Sequence, residues 1–184
     1  MKKIIAIVIC IATLFAFCAC GAPAEEVAVE SSLEILETVW AKYDENHIFP
    51  IAGGDYAAAV MDAPAKFDVT QTADFQAILA ISADNVKYVD DAASIMHLMN
   101  VNVFTCGAFH IADAANQQAF IDGVKEDLST NQWMCGSPEK LMIAKLGGQY
   151  VVSAFGGADN IDYFAEQLKA AYPAVEVVFE ENVA

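Results

Sequence analysis

The stretch LMIAKLGGQYVVSAF, residues 141–155, carries the strongest indication of the fold. Two apolar runs, 141–146 and 150–155, flank Gly147 and Gly148. Paired glycines readily adopt the positive φ values of a tight hairpin turn, so the stretch predicts two antiparallel strands. An isolated hairpin is barely stable in water, so the rest of the chain must supply strands or helices that cover its apolar side chains.

The segments around the hairpin predict further strands and helices. Alternating apolar residues over 94–99, 102–111 and 175–179 predict strands, with the bend between the first two at Asn100. Helical spacing predicts helices over 32–46, over 113–130, and from 159 to the residues before Pro173. Another helix, capped by Thr70 or Thr72, is predicted to carry Phe75, Ile78 and Leu79. Residues 82–89 suggest one more short helix. Segment 47–69 contains several prolines and glycines and is predicted to be mostly loop, with a short helix or strand over 57–61.

These elements predict one α+β domain over residues 31–181. The hairpin requires antiparallel pairing, so we expect an antiparallel sheet of about five strands, with helices packed mainly on one face. About 150 residues are enough for a sizeable core without disulfide support.

The N-terminus has the pattern of a secretory signal peptide. Lys2 and Lys3 precede an apolar run over 4–19, and no further charge occurs before Glu25. The run is shorter than the roughly 20 apolar residues of a membrane span. It ends in FCACG, residues 17–21, where a cysteine after a small residue resembles a bacterial lipobox. We therefore expect a signal peptide over 1–19 and lipidation of Cys20, with plain secretion and an uncleaved anchor as alternatives.

Residues 20–30 are predicted to form the lipidated cysteine and a flexible acidic tether. The whole chain has 25 acidic and 9 basic residues, all of them lysine, and a net charge of -16. Removing 1–19 takes away Lys2 and Lys3 and no acid, so the mature charge becomes -18. Such a protein lacks the basic face that nucleic-acid binding needs. It would also be repelled by anionic lipid headgroups, against which the anchor must hold it.

Cys106 and Cys135 would be the only thiols left beside a lipidated Cys20. An even pair outside the cytoplasm is typical of a disulfide. By closing a loop of about 30 residues it would stabilise the fold by roughly 3–4 kcal/mol. The alternative is two buried free thiols that behave as small apolar groups.

His97 and His110 lie on neighbouring predicted strands and share strand faces with apolar residues. Together with Cys106 they would offer imidazole and thiolate, which suit zinc or copper. A thiol activated by one of these histidines would be a nucleophile, which leaves a metal- or thiol-dependent enzyme as an alternative function. The spacing lacks any metal-binding or catalytic signature, so we expect structural histidines and no cofactor.

An aromatic and methionine set lies near the two cysteines. It includes Met99, Phe104, Trp133 and Met134. If exposed, these side chains would form an adaptable apolar groove for a peptide or partner, and otherwise they belong to the core. We expect a possible binding patch there.

Several short strings recur in order along the chain: FP at 49–50, GGD at 53–55, HLMN at 97–100, FTCGAFH at 104–110, QWMCG at 132–136 and SAFG at 153–156. With the lipobox, they resemble a family of small lipoproteins from clostridia and their relatives that carry one domain of unknown function. The resemblance implies lipidation, a location on the outer face of the cell membrane and a single small domain. It implies no catalytic residues.

Some members of that family are labelled "bacteriocin transport accessory protein", which implies an accessory role in peptide export as an alternative function. Accessory proteins of the thioredoxin type need a Cys-x-x-Cys pair, which Cys106 and Cys135 do not form. The sequence thus favours a lipid-anchored, non-enzymatic binding or accessory module. Its partners would be the membrane, through Cys20, and an envelope protein or peptide.

Overall fold

An antiparallel sheet of eight strands forms the centre of the computed structural model, which describes residues 29–134 and 136–183. In chain order the strands are β1 (Ile51–Gly53), β2 (Val60–Met61), β3 (Ala65–Lys66), β4 (Val89–His97), β5 (Phe104–Ile111), β6 (Lys140–Leu146), β7 (Tyr150–Gly156) and β8 (Glu176–Asn182). Their order across the sheet is β2-β1-β4-β5-β7-β6-β8, and β3 pairs with β4 beside β1.

The described residues also form five α-helices, which pack against the sheet. They are α1 (Ser32–Trp40), α2 (Thr72–Leu79), α3 (Ala83–Val86), α4 (Gln117–Thr130) and α5 (Ala158–Ala171), and a 3-10 turn at Ala114–Asn116 precedes α4. Ser31 followed by Glu34 is the sequence pattern of a capping box, and the structure has half of it. The Ser31 hydroxyl accepts a hydrogen bond from the backbone N–H of Glu34 at 3.2 Å, whereas the Glu34 carboxylate accepts the N–H of Glu30. Helix α1 ends earlier than the predicted 32–46, since turns begin at Ala41.

The α+β class and the antiparallel sheet are confirmed, but the helices cover both faces of the sheet rather than mainly one. Helices α1 and α5 pack on the face that includes Cys106 and Ala154. Helices α2, α3 and α4 pack on the opposite face, which includes Phe109 and Val151. The reason is visible in β5 and β7, where nearly every residue is buried. Neighbouring side chains point to opposite faces, so such strands need cover on both sides.

The sheet exceeds the predicted five strands because segment 47–69 contributes β1, β2 and β3. These strands are two or three residues long, which is too short for a periodic signal, and β1 and β3 each follow a proline. Strand β2 lies within 57–61, where the sequence allowed a short helix or strand. Gly53 permits the close approach of β3, since a Cβ there would lie 2.3 Å from the backbone nitrogen of Ala65. Asp55, which is 2% exposed, ties the segment together by accepting N–H bonds from Ala57, Ala58 and Asp68.

The glycine hairpin is confirmed. Strands β6 and β7 pair in register from Lys140 opposite Gly156 to Leu146 opposite Tyr150, and Gly147 has a φ of 62°. The hairpin forms part of the buried centre of the sheet, with β5 on one side and β8 on the other.

The predicted signal peptide, Cys20 and nearly all of the predicted tether lie outside the described residues, as does Cys135. Within residues 29–134 and 136–183, no helix combines the length and the apolar character that a membrane crossing requires.

Candidate functional site

The central sheet has two chemically different ends. The first described residue, Val29, lies at one of them, where its carbonyl accepts a hydrogen bond from the Tyr150 hydroxyl at 3.4 Å. We call this the tether end. At the other, which we call the groove end, β5 begins at Phe104 opposite Gly156. The eight residues of β5 place the two ends about 20 Å apart.

A groove of about 230 Å³ opens at the groove end, on the face covered by α2 and α4. Its lining comes from four separate segments: the end of α2, the turn between β4 and β5, the loop after α4, and β7. The residues are Gln76, Ala77, Ile78, Ala80, Val101, Asn102, Asn131, Gln132, Trp133, Met134 and Phe155. The lining carries no formal charge, and its polar groups are amides.

Trp133 forms the aromatic wall of this groove. Its ring packs on Phe155 with centroids 4.7 Å apart at 51°, which leaves the indole half-buried. Met134 lies on the groove lining, and Met99 lies on the turn that supplies Val101 and Asn102 to that lining. Each of the two methionines is 80% exposed. Leu98 and Val101 extend this exposed apolar surface.

Hydrogen bonds from the turn between β4 and β5 hold the lip of the groove. The side-chain amide of Asn102 donates to the carbonyl oxygens of Met134 at 2.8 Å and Gly136 at 2.6 Å. Asn102 is itself placed by a bond from its backbone N–H to the side-chain oxygen of Asn100. The hydroxyl of Thr105 donates to the carbonyl oxygen of Val101. The turn and the loop after α4 are therefore joined by hydrogen bonds.

Three of the four residues predicted for a binding patch lie at this site, and the fourth does not. Trp133 and Met134 line the groove and Met99 is exposed beside it, whereas Phe104 is completely buried on the opposite face of the sheet. Strand parity places Phe104 with Cys106, where its ring packs against Phe49 and Phe164.

The helix and loop residues of the groove were missed in the sequence. Gln76, Ala77 and Asn131 come from the ends of two helices that are distant in the chain, and no local pattern joins them. Ala80 is unusual only in its backbone conformation, since it ends α2 with a left-handed φ of 55°. A residue with a Cβ pays strain there, and such strain is enriched near functional sites.

Cys106 is sealed inside the core. It is fully buried on the face covered by α1 and α5, and burial raises the pKa of its thiol well above the ordinary value. Burial also raises the pKa of the Tyr43 hydroxyl, with Cys106 and Tyr163 adding to the effect. Among the described residues Cys106 is a free thiol. Cys135 is outside them, so the disulfide between the two stays a prediction.

The two histidines offered as partners of Cys106 are far apart. His97 lies at the groove end, where its ring is 5.3 Å from that of Phe49. His110 lies at the tether end, where Nδ1 is 2.5 Å from the carboxylate of Asp90. About 20 Å of strand separates them, so they do not converge on the thiol. The described part of the chain holds no group of three or more potential metal ligands.

A second, acidic depression of about 330 Å³ lies beside β3 and β4 and includes Asp55, Asp68, Asp90 and Asp91. Its carboxylates already have partners. Asp55 accepts backbone N–H bonds, Asp68 accepts bonds from Thr70, and Asp91 accepts the backbone N–H of Ser32 at 2.8 Å. The depression is therefore explained by local structure.

The tether end concentrates negative charge. Burial raises the pKa of the Tyr150 hydroxyl, and the carboxylates of Asp91, Glu34 and Asp90 add to the rise. This end would repel an anionic membrane surface.

Comparisons with protein families, with curated proteins and with solved structures find no match for this chain. The resemblance to small clostridial lipoproteins therefore stays a prediction. The chemistry of the chain's own residues carries the functional conclusion, and its strongest feature is the uncharged groove with its two exposed methionines.

Proposed function

We propose that this protein is a lipid-anchored, non-enzymatic binding or accessory module on the outer face of the cell membrane. Its groove binds an extended apolar segment of another envelope protein or of a peptide. The observation that carries the proposal is the exposure of Met99 and Met134, each 80%, beside a groove walled by Trp133.

The groove has the composition of a peptide-binding surface. Methionine side chains are unbranched and polarisable, so they adapt to apolar partners of different shapes. A half-buried tryptophan offers the kind of anchor that dominates binding energy at interfaces. The amides of Gln76, Asn131 and Gln132 offer donors and acceptors to the backbone of an extended segment without adding a charge.

The position of the groove favours an occupant that arrives from the aqueous side. The chain enters the domain at the tether end, about 20 Å from the groove along β5. With an anchor at Cys20, the tether end would face the membrane and the groove would face away from it. Glu34, Asp90 and Asp91 at the tether end would keep the domain off anionic headgroups.

The net charge of the domain predicts the charge of those residues of the occupant that flank the groove. A mature domain at -18 attracts a cationic partner over a distance and accelerates its encounter. The uncharged groove then selects apolar side chains at contact. We therefore expect an occupant with apolar side chains for the groove and lysine or arginine on either side of them.

The positions of Cys106, His97 and His110 do not favour the alternative of a metal- or thiol-dependent enzyme. Cys106 is sealed in the core, its pKa is raised rather than lowered, and His97 and His110 lie at opposite ends of the strand pair. A thiol nucleophile requires the thiolate form and access to substrate. Neither condition is met at Cys106.

The test is affinity capture of the tagged, full-length protein from its native membranes after crosslinking, with identification by mass spectrometry. One stoichiometric envelope protein or peptide should be recovered, and Met134→Glu should remove it. Met61→Glu is the matched control, since Met61 is 55% exposed on the distant strand β2. Recovery of an export transporter would favour the accessory role in peptide export. Equal recovery with both variants, or only abundant bystanders, would refute the groove as the binding site.

A further inference from the structure

The three histidines of the described chain differ in how their Nδ1 atoms are bonded. In His47 and His110 this atom faces an aspartate oxygen, Asp44 Oδ1 at 2.8 Å and Asp90 Oδ1 at 2.5 Å. In His97 it faces two backbone N–H groups, those of Met99 at 3.2 Å and Asn100 at 3.3 Å. A backbone N–H only donates, so Nδ1 of His97 acts as an acceptor and carries no proton in this conformation.

These two bonds hold the turn that shapes the groove. Asn100 accepts the backbone N–H of Asn102 on its side chain and that of Val103 on its backbone carbonyl. Asn102 in turn donates to Met134 and to Gly136, on the lip of the groove. A continuous chain of hydrogen bonds therefore runs from the His97 ring to the groove, and the same turn displays Met99.

The surroundings of His97 give its protonated form no compensating partner. Phe49 packs on the ring, and the residue opposite His97 on the neighbouring strand β1 is Ile51. The titratable residues on the segment before Phe49 are Lys42, Tyr43, Asp44, Glu45 and His47. Asp44 and His47 bond to each other, and both contact Tyr163 on α5. No ion pair within the described residues includes His97, whereas His47 and His110 each have one.

We propose that His97 is an acid-sensitive latch: when neutral it holds the turn between β4 and β5 in the binding shape, and when protonated it releases that turn. The proton enters at Nδ1 and occupies the lone pair that accepts the two N–H bonds, leaving three donors face to face. The groove is thus open to its occupant at neutral pH and loses its lip in mild acid. This regulation rests on the proposed binding function of the groove.

Nuclear magnetic resonance of the full-length protein in detergent micelles tests the latch without any partner. Between about pH 7.5 and pH 5, the ring signals of His97 and the amide signals of Met99 and Asn100 should shift in one step. The indole N–H of Trp133 and the methyl group of Met134 should shift in the same step. After correction for the intrinsic pH dependence of exchange, the two turn amides should exchange roughly tenfold faster in acid.

His97→Asn is the decisive variant, because its side-chain oxygen accepts a hydrogen bond in place of Nδ1 and does not titrate. It should fold like the wild type and lose the acid step at the turn and the groove. His47→Asn and His110→Asn are matched controls that should keep it. Persistence of the step in His97→Asn would overturn the latch, as would titration of His97 without a change in the turn amides.

The experiments can refute the latch and the proposed binding function independently of each other. If capture from native membranes finds no groove partner while the signals titrate as expected, the binding function is lost and the latch remains as a property of the turn. If capture succeeds at neutral pH and is undiminished at about pH 5 in a protein whose turn has opened, the groove binds but His97 does not regulate it.

Discussion

The tether end and the groove end of the same sheet use their surface in opposite ways. At the tether end, carboxylates of Asp90 and Asp91 bond to His110 and to the backbone of Ser32. At the groove end, Met99 and Met134 project into solvent without polar partners. The hydrogen bonds at the tether end fix the point where the chain enters the domain. The exposed methionines at the groove end contribute to stability only when a partner covers them.

This difference separates stability from binding within one small domain. Substitutions at the tether end should change the free energy of unfolding and leave the groove alone. Substitutions at the groove end should change binding with little effect on folding. Cys106, in the middle of the sheet, should take part neither in catalysis nor in partner binding.

Replacing Cys20 by alanine should have the largest effect, because it removes the proposed lipid attachment entirely. The variant should pass from the membrane fraction to the soluble extracytoplasmic fraction, with an unchanged circular dichroism spectrum and melting temperature. Fractionation of cells followed by immunoblotting measures this, and Cys18→Ala is the control. Membrane retention of Cys20→Ala would refute lipidation at that residue.

Cys106 should be chemically silent while the protein is folded. It is fully buried and the pKa of its thiol is raised, so a thiol reagent should label it orders of magnitude more slowly than a free cysteine. Intact mass after alkylation measures this in native and denatured samples. Denatured, unreduced protein that still resists labelling at Cys106 and Cys135 would demonstrate the predicted disulfide. Fast labelling of Cys106 in the folded protein would contradict the sealed core.

Asn102→Ala should weaken binding at the groove by roughly tenfold, because it removes the two hydrogen bonds that hold the lip. The amount of partner captured from titrated membrane extracts measures the loss. Asn160→Ala is the matched control, since Asn160 donates to the carbonyl oxygen of Val103 at 3.1 Å and lies outside the groove lining. A similar loss in both variants would mean that the lip has no special role.

Asp91→Ala should lower the free energy of unfolding by about 2 kcal/mol, because the buried start of α1 loses the carboxylate that accepts the Ser32 N–H. Asp90→Ala should cost less than about 1 kcal/mol, since its contact with His110 is more exposed. Urea denaturation measures both. Equal costs at the two neighbouring positions would remove the distinction between a structural carboxylate and a surface one.

Ala80→Gly should have the smallest effect and the opposite sign. Glycine relieves the left-handed φ of 55° at the end of α2, which stabilises the fold by roughly 0.5–1 kcal/mol. The melting temperature should rise slightly, while partner capture falls because Ala80 lines the groove. An unchanged or lower melting temperature would show that the conformation costs nothing in this context.

The sequence predicted the longer elements well because their signals are local. The Gly147–Gly148 hairpin, β5 and the apolar faces of α4 and α5 each follow from residues close together in the chain. The predicted strand 94–99 is wrong at its start, since β4 spans Val89–His97 and Asp90 and Asp91 interrupt its apolar pattern. The sequence did not predict β1 or β3, and it left 57–61, which contains β2, open between a short helix and a short strand. These strands are too short for a periodic signal and depend on contacts such as that of Gly53 with β3.

The site was predicted only in part for the same reason. Trp133 and Met134 are identifiable in the sequence as large apolar residues close together. The face of the sheet on which a residue lies depends on strand parity, and its exposure depends on which helices cover that face. Phe104 was misplaced in the patch on that account. Gln76 and Asn131 join the groove only through the packing of α2 and α4, which no spacing in the chain encodes.

Photocrosslinking in cells compares the two ends most directly. A photoreactive amino acid is placed at position 134 in one variant and, in the other, at position 115, an exposed site beyond the tether end of β5. We expect the groove position to capture one defined protein or peptide and position 115 to capture none. Capture of the same partner from position 115, or of lipid from position 134, would contradict the assignment of binding to the groove end.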